Sequence, residues 1–186
     1  HLSIRRQRQM CIRDRFIGDK AIKEGYTFDP APKLQKERVA IIGGGPAGLS
    51  AAYQLRKMGY ASTIFEERKE LGGMMRYGIP GYRTPRDLLD KEIERIINLG
   101  DIEIVLGKRV GKDVKLEDVE KSHDAVLWTI GCWNGKAIPV DGGDATNCIT
   151  GVDFLEAFCD GRLKVGSKKV ICVGGGDTSI DVVSVA

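Results

Sequence analysis

Four glycines in six residues, Gly43-Gly44-Gly45-Pro46-Ala47-Gly48, stand directly behind the apolar run Val39-Ala40-Ile41-Ile42 and ahead of a helix-forming stretch closed by Met58-Gly59. The apolar run reads as a buried parallel strand, and the glycine spacing assigns separate duties to positions 43, 45 and 48. Gly43 permits a tight turn, Gly45 lets backbone approach a pyrophosphate, and Gly48 lets the following helix pack closely on the strand. That helix, predicted from about Pro46 to Met58, points free N–H groups and its positive dipole end at the phosphates. Gly59 is a normal terminator for it. A second strand over residues 62–65 ends at Glu66, 23 residues after Gly43, where a carboxylate accepts ribose hydroxyls and repels a 2′-phosphate. Together these define a dinucleotide-binding βαβ unit that should not hold NADP, and the trailing pair Gly72-Gly73 points to FAD.

Downstream, Gly78, Pro80 and Gly81 are too rich in helix and strand breakers for anything but a loop. A helix is predicted to follow, with Thr84 as N-cap, Pro85 at its first position, Asp87 in its first turn, and an apolar stripe of Leu88, Leu89, Ile93, Ile96 and Ile97. Residues 102–106 read as a third strand with Val110 past its exit, residues 116–120 as a short helix, and residues 125–130 as a strand ending at Gly131. Thr150-Gly151 caps a helix through Phe158. Residues 169–173 then open a second βαβ unit into Gly174-Gly175-Gly176-Asp177-Thr178-Ser179, with Ser179 replacing the third glycine by another small residue. Taken alone, this second motif fits a plain strand-to-helix turn as well as a nucleotide loop.

Apolar residues make up 42% of the chain, and no apolar run approaches the ~18 residues that would span a bilayer, so a soluble cytoplasmic protein without a membrane span is expected. The formal charge of +3 comes from the first fifteen residues, whose five arginines stand against Asp14 alone and leave a net −1 elsewhere. Residues 10–15 resemble one reading frame of a sequencing-library adapter, and residues 1–15 are set aside as an adapter artefact. Arg5-Arg6 is not an export signal, because no apolar stretch follows it. A nucleic-acid arm would want aromatics and a wider basic patch, so no nucleic acid is expected. Cys132, Cys148, Cys159 and Cys172 are scattered singly, so neither zinc nor an iron–sulfur cluster assembles from local spacing. His123, ahead of a strand, reads as part of a surface turn.

From about Phe16 onward the chain resembles the flavoprotein small (beta) subunit of glutamate synthase and its relatives, including the flavin module of dihydropyrimidine dehydrogenase. The residues that carry the resemblance are 43–48, Glu66, Leu71-Gly72-Gly73-Met74-Met75-Arg76-Tyr77-Gly78-Ile79-Pro80, and Gly174-Gly175-Gly176-Asp177. The Arg-Tyr-Gly-Ile-Pro segment is much more specific than either glycine motif. The resemblance implies an α/β fold: a Rossmann-like FAD-binding domain, with a parallel sheet and helices, followed by the start of a second Rossmann-like domain for NAD(P). Residues 16–37 would be a linker helix and connector, 38–150 an incomplete FAD-binding domain, and 151–186 the truncated start of the NAD(P)-binding domain, making the chain a fragment.

The implied activity is that of an FAD-dependent NAD(P)H oxidoreductase passing electrons toward iron–sulfur clusters or an electron-accepting partner subunit, such as one like the glutamate synthase large subunit. The clusters would lie in an upstream segment or in the partner. Because the cofactors carry the chemistry, no catalytic side chain is expected. For FAD the resemblance implies Gly43, Gly45, Pro46, Ala47 and Gly48 at the pyrophosphate, Glu66 at the ribose, and Gly73 and Met74 beneath the isoalloxazine path. It implies Arg83 at a phosphate or the flavin, and Val110 and Gly131 approaching by backbone. Following an FAD domain in this order, Gly174, Gly175, Gly176, Asp177 and Thr178 become the NAD(P)H loop. Arg83 as a solvated loop charge and Met74 as core filling are the plainer alternatives. A thioredoxin reductase type of enzyme needs a redox C-x-x-C before its second loop, and residues 156–161 hold only Cys159. A non-catalytic FAD-binding scaffold is the rival from another class.

Overall fold

The computed structural model describes residues 2–166 and 169–186, with side chains from residue 12 onward. Its centre is β1 (Arg38–Ile42), which pairs in parallel with β2 (Ala61–Glu66) on one side and β4 (Ala125–Trp128) on the other. β3 (Ile102–Leu106) flanks β2, giving the order β3-β2-β1-β4 with every pair parallel. The glycine loop leaves the carboxyl end of β1, and α2 (Pro46–Lys57) carries the chain back to β2.

Successive strand residues face opposite sides of a sheet, and β1 divides its side chains accordingly. Ile41 joins Leu49 and Ala52 of α2, Ile64 of β2 and Ile93 of α4 (Arg86–Ile97) in the larger core. Ala40 and Ile42 face the other way, onto Val119 of α5 (Leu116–Ser122). Ile41 and Ile64 have no exposed surface, so cutting either to alanine costs about 2–5 kcal/mol. A third, smaller cluster forms where α6 (Gly151–Cys159) packs Phe154 and Leu155 against Val182 of α7 (Asp177–Val185). No helix among the described residues is long and apolar enough to cross a membrane.

The first helix, α1, runs Leu2–Lys23. Four sequence expectations need correction. A one-turn helix, α3 (Met74–Tyr77), occupies the start of the stretch expected to be loop. It is held by tertiary bonds: Arg76 donates to the Leu71 carbonyl at 2.6 Å and pairs with Asp90 of α4. α4 begins one residue late, with Pro85 rather than Thr84 at the N-cap. The Thr84 carbonyl is taken by the Arg86 guanidinium at 3.1 Å, and the first helical bond runs from Leu89 N–H to Pro85. β4 stops at Trp128, opposite Ile42, because β1 ends there and offers no further partner; Thr129 donates its N–H to the Ile42 carbonyl at 2.8 Å and its hydroxyl to the carbonyls of Ile42 and Gly43, at 3.1 and 2.9 Å. Residues 169–173 are not a strand. No described segment pairs with them, a strand needs a neighbour to close its ladder, and Ile171 and Val173 remain 90% and 71% exposed.

Candidate functional site

At the carboxyl end of β1 the loop 43–48 is pressed between β4 and the turn after β2. Gly43 has φ +110 and donates its N–H to Phe65 at 2.8 Å, and a β-carbon there would lie 2.8 Å from the Thr129 carbonyl carbon. Gly48 is buried against the Gly43 carbonyl, with no room for a side chain. Gly45 is the N-cap of α2, Pro46 stands in the first turn, and no side chain caps this end. The first N–H groups of the helix are thus left facing outward, as an anion requires.

Glu66 closes the site from the end of β2. It is 6% exposed, accepts the Gly44 N–H at 2.8 Å through one oxygen and the Arg68 N–H at 2.9 Å through the other. No cation pairs with it among the described residues. Each oxygen keeps lone-pair capacity for hydroxyl donors. Gly72 donates to the Gly44 carbonyl at 2.9 Å, and a β-carbon on Gly73 would come 2.7 Å from Gly45 Cα. Bare backbone therefore meets bare backbone at Gly45 and Gly73, a cradle any larger side chain would fill.

The other expected FAD residues have varied surroundings. Met74 is half-buried and folds its sulfur over Gly78. Val110 bridges to Val114 and packs on the α5 side of the sheet, while Gly131, with φ +72, is exposed beside Trp133. Arg83 donates through Nη1 to Asp181 of α7 at 2.9 Å, and the bond and charge of Asp181 push its guanidinium pKa up.

The second glycine cluster shares two backbone features with the first. Gly174 has φ +134 where Gly43 has +110. Gly176, at φ −84 and ψ 177, is an N-cap without a side-chain bond, as Gly45 is at φ −78 and ψ −174. Ser179 takes the position of Gly48, with its hydroxyl 2.5 Å from where Gly174 would carry a β-carbon. Gly175, Asp177 and Thr178 are exposed around it.

Several residues that shape this region carry no local sequence signal. Arg68 is stacked between the rings of Tyr77 and Trp133, at 4.6 and 4.2 Å, and donates to Glu156 of α6 at 2.9 Å. Burial alone would lower its pKa, but the bond and charge of Glu156 outweigh that and raise it. A cavity of about 880 Å3 opens beside this stack, lined by Arg68, Arg76, Tyr77, Arg86, Cys159 and Arg162 among others. None of residues 43–48 lines it.

The fold and the two loops define a Rossmann-like dinucleotide-binding architecture. The chain belongs to the pyridine nucleotide-disulphide oxidoreductase family, whose model matches residues 37–186. It is 44% identical over 161 residues to the NADPH-Fe(3+) oxidoreductase subunit beta of Geobacter sulfurreducens, covering 83% of this chain and 24% of that protein. It is 30% identical over 186 residues to the glutamate synthase [NADPH] small chain of Azospirillum brasilense, covering 93% of this chain and 38% of that one. The chain thus spans well under half the length of either relative. Among solved structures, Mycobacterium tuberculosis FprA in complex with NADPH has the same fold, with a TM-score of 0.61 and 22% identity over 66% of this chain and 29% of that one.

Proposed function

We propose that this chain carries the cofactor-binding elements of a cytoplasmic NAD(P)H-dependent flavoprotein that delivers electrons to an iron–sulfur protein or partner subunit. The observation that carries the reading is the repeated loop: Gly43 and Gly174 share a positive φ, Gly45 and Gly176 are extended N-caps without a side-chain bond, and Gly48 and Ser179 each close against the first glycine of their loop. Family membership and relatives named as subunits of NADPH-linked oxidoreductases support it.

In this reading the α2 N-terminus and the Gly45–Gly73 cradle hold the FAD pyrophosphate, and Glu66 takes the ribose hydroxyls. The buried Glu66 carboxylate, bonded to only two N–H groups, fits that task. Val110 and Gly131 approach by backbone, and Met74 supports the flavin path. The α7 N-terminus, with Gly174, Gly175, Gly176, Asp177 and Thr178, receives the nicotinamide nucleotide. When bound, the two cofactors supply hydride and electron transfer, and the chain's part is to hold, orient and shield.

The test is to purify the full-length gene product and follow its visible spectrum during anaerobic addition of NADH or NADPH. A yellow protein bleached by one nucleotide is expected. A protein that cannot be loaded with FAD would overturn the reading, and a yellow one that neither nucleotide reduces would favour an FAD-binding scaffold.

A further inference from the structure

The two glycine loops are tied together by a contact that neither loop motif contains. Asp181 lies one turn into α7 from Asp177 and is 4% exposed. One carboxylate oxygen accepts the Tyr82 hydroxyl at 2.9 Å, and the other accepts the Arg83 guanidinium at 2.9 Å. Tyr82 and Arg83 belong to the turn between α3 and α4, closed by bonds from Arg83 and Thr84 N–H to the Pro80 carbonyl. Both donors are themselves well exposed, with the Tyr82 residue at 59% and the Arg83 side chain at 42%. A buried carboxylate is retained only where its oxygens are matched by donors, and here each oxygen is matched from the opposite dinucleotide unit.

The path through this contact is short. Gly45 of the first loop touches Gly73, Gly73 is the N-cap of α3, and α3 leads into the Pro80–Arg83 turn. The turn grips Asp181, and one turn of helix back lies Gly176 of the second loop. A second tie, Arg68 to Glu156 of α6, bears on α7 through the apolar packing of Phe154 and Leu155 on Val182 and of Gly151 on Thr178. The Asp181 contact grips the nucleotide-loop helix by hydrogen bonds from the turn that follows the first loop's partner, Gly73.

We infer that Asp181 is a positioning residue: gripped by Tyr82 and Arg83, it sets the orientation of α7, and so of the nucleotide bound at its N-terminus, relative to the flavin site. This rests on the proposed function. Hydride transfer demands reacting atoms within about 3–3.5 Å, and displacement on the order of 1 Å costs roughly a hundredfold in rate. Loosening the grip therefore slows transfer without removing either binding loop.

The experiment is anaerobic stopped-flow bleaching of the FAD-loaded full-length protein by NADH or NADPH, comparing wild type with Tyr82→Phe, Arg83→Gln, Arg83→Lys and Asp181→Asn. The limiting rate at saturating nucleotide is expected to fall about tenfold in Asp181→Asn and about threefold in Tyr82→Phe and in Arg83→Gln. FAD content and the half-saturating nucleotide concentration stay within about twofold, and Arg83→Lys recovers much of the rate. If Asp181→Asn does not fold, the two exposed donor variants decide. Limiting rates in Tyr82→Phe and Arg83→Gln equal to wild type overturn the positioning role while leaving the oxidoreductase intact. A wild-type protein that neither nucleotide bleaches overturns the proposed function, and the positioning role falls with it.

Discussion

A β-carbon on Gly48 would fall inside the contact distance of the Gly43 carbonyl oxygen and only 3.0 Å from Thr129 Oγ1. The obstacle is backbone on one side and a hydroxyl held by two carbonyls on the other, so neither can yield cheaply. Gly48→Ala must push α2 away from β1, at about 1–3 kcal/mol or somewhat more. Thermal unfolding of the variant should shift down by several degrees, and its FAD content should fall. Gly81→Ala is the control, because its β-carbon meets nothing within 4 Å. Equal melting of the Gly48 variant and wild type would refute the close approach.

Glu66 satisfies two backbone donors, the buried N–H of Gly44 and the part-buried N–H of Arg68. Glu66→Leu removes both acceptors in a buried position, and an unsatisfied buried donor costs about 1–3 kcal/mol. Glu66→Gln keeps one carbonyl oxygen and turns an amide N–H toward the other donor, so its loss of stability is smaller. FAD retention through gel filtration should rank wild type above Glu66→Gln, and Glu66→Gln above Glu66→Leu. Undiminished flavin in the leucine variant would remove Glu66 from the site.

The Arg68 guanidinium, stacked between Tyr77 and Trp133 and bonded to Glu156, makes cation–π contacts and an ion pair whose side chains are 18% and 21% exposed. Arg68→Met leaves Glu156 to Arg162 alone, at 3.4 Å, and is expected to cost about 1–3 kcal/mol. Since the chain has two tryptophans, the Trp128→Phe background isolates Trp133. In that background Arg68→Met should change the indole emission intensity and shift its maximum toward that of a wetter ring. Arg68→Lys should not restore either, because an ammonium cannot lie flat between two rings. Identical spectra in all three would show that the stack does not persist in solution.

What the sequence makes legible is what chain-local physics dictates. The Gly43, Gly45 and Gly48 spacing, the strand before it and Glu66 at the end of β2 all follow from short-range constraints, and the fold places them as expected. The Thr150 cap is equally local, its hydroxyl accepting the Asp153 N–H. Arg68 and Asp181 are different: the partners in their side-chain hydrogen bonds lie 88 to 99 residues away, and nothing near them marks the pairing. One weak signal existed for Asp181, a carboxylate set between Ile180 and Val182 in an otherwise apolar helix segment. α4 starts at Arg86, one residue beyond the start its local cap pattern predicts, because a side chain from inside the helix claims the Thr84 carbonyl. Residues 169–173 have the composition of a strand, but composition supplies no neighbour to pair with.

Cys159 tests the cavity wall. Burial pushes its thiol pKa above the ordinary value of 9.0, opposed by the Arg86 guanidinium, whose Nη2 lies 3.5 Å from Sγ. The sulfur also donates toward the Ile79 carbonyl at 3.6 Å, whereas Cys132 and Cys148 are exposed. Alkylation at neutral pH, followed by peptide mass spectrometry, should label Cys132 and Cys148 at least tenfold faster than Cys159, because only the thiolate attacks. The Cys159 rate should keep climbing above pH 9. The sign for stability follows from the same shift. With the folded pKa raised, the contribution of the neutral thiol is intact below about pH 9 and is lost as pH rises through the folded value, since the unfolded chain gives up its proton first. Cys159→Ser, which ionises in neither state, should show a shallower fall in melting temperature between pH 9 and pH 10.5. Alkylation of Cys159 as fast as Cys132 at neutral pH would mean that the α6 end does not close against Ile79 and Arg86.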